Sequence, residues 1–226
     1  MPARFDAVIF DNDGLLLDTE EAWSRAETVL FARRGQTFTM EHKRAIIGSS
    51  RSTGAAILEQ QLDRPGEGSA LMDELHDLVM EEVRKPVAPR PGAVALLQRL
   101  GAAGLPIGLA SNSAREFVER TLRGAGLLGG DGGPFGPGGP FAAVVSGDDV
   151  ANPKPAPDIY EEAARRLGAA PERCAALEDS ATGVAAGRAA GMFVVGVPYL
   201  PGHPLPGADL LAGSLGDPEV AAALGL

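Results

Sequence analysis

Asp11 and Asp13 stand one residue apart at the end of an apolar run, Val8-Ile9-Phe10, and just before Gly14. The run reads as a core strand closed by a turn. Side chains of an extended chain alternate with a period of two, so both carboxylates should point to one side. Such a pair raises one member's pKa or attracts a cation. Comparable groups follow other apolar runs. Ser111-Asn112-Ser113 follows PIGLA, Glu178-Asp179-Ser180 follows CAALE, and Lys154 comes after FAAVV, held between Pro153 and Pro155. Prolines on both sides favour extended backbone, which would aim Lys154. They also make a cis Lys154–Pro155 bond an expectation.

Taken singly, each signal has an ordinary explanation. The aspartates could cap a turn, Ser111 and Ser113 could cap a helix, and Glu178-Asp179 could open one. Together they place four carboxylates, one lysine and a hydroxyl at the strand ends of one sheet, where open parallel sheets bind ligands. One lysine cannot balance four carboxylates. A hard divalent cation, Mg²⁺, together with a substrate phosphate resolves the charge. A carboxylate there can attack phosphorus in line and split a hard step into two.

The elements needed to position these groups follow from the pattern. From about Asp18 to Arg84 the chain shows helical spacing in EEAWSRAETVLFARRG, STGAAILEQQL and SALMDELHDLVMEEVR. Beyond the proline-rich link PVAPRPG, strands and helices alternate, which implies right-handed βαβ units and a parallel sheet. SAREFVERTLRGAG reads as a helix capped by Ser113. The expected architecture is an α/β, Rossmann-like core from residues 1–17 and 86–226, with an all-helical cap domain, residues 18–85, inserted above the paired aspartates. The run from Gly129 to Pro140, GGDGGPFGPGGP, reads as a flexible surface loop.

Composition narrows the partners. The 226 residues are 45% hydrophobic and 22% charged, as in ordinary globular proteins. A net charge of -10 without basic clusters argues against nucleic acid. No apolar stretch is long enough to span a membrane, and no signal peptide is evident. The lone Cys174 excludes an internal disulfide, suits a reducing compartment and reads as a small buried residue. A cytoplasmic monomer or weak homo-oligomer acting on a small phosphorylated metabolite is expected.

The ordered set DNDGLLLDTE, ASNS, NPKPAPDIY and LEDSATG resembles the haloacid dehalogenase-like hydrolases, closest to the phosphatase and phosphoglucomutase-like branch. The resemblance covers nearly the whole chain. It implies that Asp11 is the nucleophile and Asp13 the general acid and base, whose main-chain carbonyl also binds the metal. It assigns the hydroxyl to Ser111, the lysine to Lys154 and the distal metal carboxylates to Glu178 and Asp179. Lys154, Ser111 and main-chain N–H groups around Asn12, Asp13 and Asn112 would hold the phosphate oxygens.

Metal-independent dehalogenation needs neither Asp13 nor Glu178-Asp179, and a nucleotide-binding module would show a glycine-rich loop after VIF. The other alternative is a mutase. Mutase-like relatives carry a histidine where this chain has Trp23, and an indole cannot exchange a proton as imidazole does. In the cap, Arg51 is a candidate for a second anionic group of the substrate and Trp23 for its platform. Both have structural alternatives, in solvent and in the cap core. His42, His76 and His203 show no metal-ligand spacing, and Glu20, Glu21, Glu81 and Glu82 read as solvated helix faces.

Overall fold

The computed structural model describes residues 4–129, 135–136, 138–200 and 202–226. Its centre is a sheet of six parallel strands in the order β3-β2-β1-β4-β5-β6. The strands are β1 (Ala7–Phe10), β2 (Ile107–Ala110), β3 (Ala143–Val145), β4 (Cys174–Glu178), β5 (Phe193–Gly196) and β6 (Leu210–Leu211). Strand order reverses on either side of β1, and this switch point opens a crevice at the carboxyl ends.

Every residue of β1 is buried, as a central parallel strand requires. Val8 and Phe10 pack on one face against α5 (Ala93–Ala102), α6 (Arg115–Gly124) and α9 (Pro218–Leu224). Ala7 and Ile9 pack on the other against α7 (Asp158–Leu167) and α8 (Ala181–Ala189). Alternation along the strand thus builds a three-layer core.

Between β1 and α5 run α1 (Glu20–Ala32), α2 (Met40–Ile46), α3 (Arg51–Leu62) and α4 (Gly68–Glu82). They bury an apolar cluster of their own, including Leu30, Phe31, Leu58, Leu75 and Val79. Phe117 of α6 joins that cluster and stacks on Trp23 at 5.2 Å between ring centroids. The chain segments entering and leaving the helical segment lie side by side: Asp18 N donates to Ala88 O (2.9 Å) and Arg90 N to Leu16 O (2.9 Å).

The sequence pattern did not disclose α2, β6 or α9. β6 has only two residues, too few for a periodic signal. α2 begins at a Thr39–His42 capping box, where the His42 side chain takes the place usual for Glu or Gln. Ser113 does not cap α6; Ala114 holds that position, and Asp148 accepts the Arg115 N–H at 2.8 Å from across the loop. Part of the glycine-rich run from Gly129 to Pro140 lies outside the described residues. Among the described residues, no helix is long and apolar enough to cross a membrane.

Candidate active site

The loop after β1 is shaped by its own hydrogen bonds. Asp11 N extends the ladder to Leu177 O (3.0 Å), and Asn12 O then accepts Leu16 N and Leu17 N. Gly14 turns the chain with φ +76°, and a Cβ there would lie 2.3 Å from Asp179 Oδ2. Only glycine allows this close approach. The main-chain N–H groups of Asn12, Asp13 and Asn112 have no acceptor among the described residues. Three free donors thus gather at one sheet edge.

Lys154 reaches the same place from the loop between β3 and α7. Its Nζ is 2.5 Å from Asp11 Oδ1, 2.6 Å from Glu178 Oε1 and 2.8 Å from Ala110 O. The Lys154–Pro155 bond is cis, as the sequence led us to expect. Burial alone would lower the lysine's pKa, but the Asp11 and Glu178 carboxylates reverse this and hold it above its ordinary value. Lys154 is therefore a fixed cation.

Glu178 is fully buried. Its Oε1 also accepts Tyr160 Oη–H at 2.6 Å, while Oε2 accepts Asp179 N (3.2 Å) and Ser180 Oγ (3.3 Å). Gly183 of α8 makes room for it, since a Cβ there would fall 1.9 Å from the carboxyl. Burial pushes Asp11 and Asp179 well above the usual carboxylate range, with Lys154 working against it in both.

One oxygen from each of Asp11, Glu178 and Asp179 lies within 4.8 Å of the others. Ionised together, three carboxylates facing one ammonium would leave two negative charges to be matched, and the donors are all oxygen. This set fits a hard divalent cation. Asp13's carboxylate stands outside the set. It accepts Thr19 Oγ1–H (2.7 Å) on one oxygen and the hydroxyls of Ser111 (2.9 Å) and Ser113 (2.8 Å) on the other.

The family model for haloacid dehalogenase-like hydrolases matches residues 5–191. The chain belongs to that family. This hydrolase is 32% identical over 202 residues to the fructose-1-phosphate phosphatase YqaB of Escherichia coli, covering 88% of this chain and 100% of that protein. It is 31% identical over 196 residues to the bifunctional riboflavin kinase/FMN phosphatase of Arabidopsis thaliana. That match takes in 86% of this chain but 48% of the longer relative, so the chain spans about half of it. The crystal structure of CbbY from Rhodobacter sphaeroides in complex with phosphate superimposes with a TM-score of 0.79 at 29% identity, covering 98% and 100% of the two chains.

In this hydrolase a cavity of about 410 Å³ lies between the sheet edge and the helical segment. Asp11, Asp13, Asn112, Lys154 and Asp179 line its floor, and Trp23 and Arg51 its opposite side. Asn12, Ser111 and Glu178 are fully buried and do not line it. Asn12 Nδ2 donates to Asp13 Oδ1 at 3.3 Å, and the Asn12 main-chain N–H is the donor left free. The Asn112 side chain holds Lys154, and the Ser111 hydroxyl holds Asp13. Trp23 is only partly buried, with Phe117 beside it, and Arg51 is exposed and paired with Asp73.

Glu20 is a correction. It is 6% exposed, and its Oε2 lies 2.5 Å from Lys43 Nζ, which also meets Glu27. Glu20 starts α1 on the inward side, a direction that helix position alone does not disclose. Sequence reasoning also passed over Glu27, Lys43 and Tyr160, whose burial depends on packing between elements. The Tyr160 hydroxyl had one local signal, its place in the same PKPAPDIY motif as Lys154. Cys174 is buried, its Sγ–H donates to Ala170 O (3.3 Å), and burial pushes its thiol up to about 11.

Proposed function

We propose that this chain is a Mg²⁺-dependent phosphatase of small phosphorylated metabolites, working through an aspartyl phosphate on Asp11. The observation that carries the reading is the meeting of Asp11, Lys154 and the free N–H groups of Asn12, Asp13 and Asn112 at one sheet edge. Asp11 attacks phosphorus while the bond to the leaving oxygen breaks, and Asp13 gives that oxygen its proton. Asp13 then takes a proton from the water that releases phosphate and restores Asp11. Thr19, Ser111 and Ser113 keep Asp13 oriented for both transfers. Lys154 and the main-chain donors hold the phosphoryl oxygens as their charge shifts.

The residues that would hold the cation are Asp11 and Asp179, with Glu178 behind them and the Asp13 carbonyl beside them. When bound, it shields the repulsion between the Asp11 anion and the phosphate. The helical segment, residues 18–85, serves as a cap that closes the cavity over the leaving group. Trp23 at the cap face supports hydrolysis over mutase chemistry, because an indole N–H donates without changing charge. The buried thiol agrees with a cytoplasmic enzyme.

The test is phosphate release from a panel of sugar and organic-acid phosphates, after chelation and after Mg²⁺ is restored. Release that needs Mg²⁺ is expected. Full release by metal-free protein removes the cation from the reading, and no release from any ester removes the phosphatase.

A further inference from the structure

The helical side of the cavity carries an ion cluster that the chemistry at Asp11 does not use. Lys43 of α2 pairs with Glu20 Oε2 at 2.5 Å and with Glu27 Oε2 at 3.3 Å, and it donates to the main-chain oxygen of Glu20 at 3.4 Å. Glu20, Glu27 and Lys43 are 6%, 2% and 3% exposed, and all three line the cavity. The same wall carries polar Ser49, Ser52 and His76 and, beside them, the apolar Ile46, Met72 and Leu75. Side chains of that kind would fill the space without the cost of desolvating ions.

One ammonium faces two carboxylates, so no positive charge is left over for a second anion. The second oxygen of Glu27 accepts no hydrogen bond among the described residues. Arg51, the other cation that the helical segment brings to this cavity, is matched by Asp73 at the exposed rim.

We propose that Glu27, held in place by Lys43 and Glu20, selects the substrate's leaving group by accepting hydroxyls of a neutral polyol or sugar. The same cluster turns away a leaving group that carries a second phosphate or a carboxylate. This inference rests on the phosphatase reading above. A hydroxyl can donate to the free Glu27 oxygen and accept from the Lys43 ammonium, satisfying both members of the pair. A second anion would instead be desolvated beside two carboxyl groups that already occupy the one ammonium, and an unmatched anion so placed is strongly disfavoured. Glu27 therefore touches the part of the substrate that does not react.

The test compares kcat/KM for glycerol phosphate and a hexose monophosphate with that for p-nitrophenyl phosphate, which offers no hydroxyl. Phosphoglycolate and a hexose bisphosphate serve as anionic competitors. The unmodified enzyme should prefer the polyol esters to both anionic ones by at least about tenfold. Glu27→Leu should lower kcat/KM on the polyol esters about tenfold and leave p-nitrophenyl phosphate within about twofold. Glu27→Gln, which keeps shape and one acceptor, should lie between, and it decides the matter if Glu27→Leu does not fold. Equal losses on both kinds of ester, an unchanged ratio, or a preference for the anionic esters would overturn the inference while leaving the phosphatase intact. Absence of turnover even on p-nitrophenyl phosphate would instead remove the phosphatase reading, and the inference with it.

Discussion

Asn112 clamps Lys154 by its main chain on both sides: the lysine N–H donates to Asn112 Oδ1 at 2.8 Å, and Asn112 Nδ2 donates to the lysine carbonyl at 3.2 Å. The loop after β2 thereby fixes the loop after β3, and the Lys154 Nζ is brought onto Asp11. A flexible lysine would gain nothing from its charge unless its backbone were held.

Asn112→Ala removes both bonds and leaves Lys154 on a looser loop. Turnover should fall at least about tenfold, with a stability loss of about 1–2 kcal/mol. Steady-state kinetics and thermal melts check this, and turnover should fall by more than KM rises.

Asp11→Asn should reduce turnover at least about a thousandfold, since an amide does not attack phosphorus. Burial already disfavours the Asp11 anion. The variant should therefore melt in chelator no lower than the parent. A single-turnover assay on denatured, trapped protein should find acyl phosphate in the parent and none in the variant.

Gly183→Ala tests the room behind Glu178. Replacing glycine inside a helix normally stabilises by about 0.5–1 kcal/mol. Here the new methyl would sit 1.9 Å from a fully buried carboxyl that already holds four partners. The sign should reverse, with a loss of about 1–3 kcal/mol and Mg²⁺ affinity weakened at least about tenfold. Calorimetric titration with Mg²⁺ and denaturant unfolding read the two effects separately.

Stability should depend on pH in two opposite ways. Burial raises Glu27 from 4.5 to about 7, with Lys43 opposing it only in part. The folded state then binds more protons than the unfolded one between these values. The Glu27 contribution is full below about pH 4.5 and is lost as pH rises through 7, on the order of 3 kcal/mol. Asp149 behaves in reverse. Burial would raise it, but the Ser146 N–H and hydroxyl and the Arg166 guanidinium outweigh that and bring it to about 2. Its contribution is present above the ordinary carboxylate value and is lost as pH falls towards 2, on the order of 2 kcal/mol. Denaturant unfolding across pH should show Glu27→Gln flattening the neutral limb and Asp149→Asn the acid limb.

The strand-end residues were legible in the sequence because their geometry is local. Each follows directly from an apolar run, so its height at the sheet edge is set by where the strand stops. The same locality explains the parallel core and the helical segment between β1 and α5. Residues on helices are different. A carboxylate at Glu20 or Glu27 and an ammonium at Lys43 have the composition of a solvated face, and only their pairing between α1 and α2 in the folded chain turns them inward. Burial then follows from contacts between elements, which no spacing along one element encodes.

The sequence alone determined the parallel sheet, the strand-end acids, the proline-flanked lysine and the family they resemble. All of these rest on periodicity and on order along the chain. Tertiary structure alone decided three other matters. It gave the Ser111 and Ser113 hydroxyls to Asp13, set Tyr160 against Glu178, and placed an ion cluster on the helical side of the cavity. The physical reason is that a polar side chain's partner is chosen by what lies within hydrogen-bond reach once water is excluded. In these cases the partner comes from a different element of the fold.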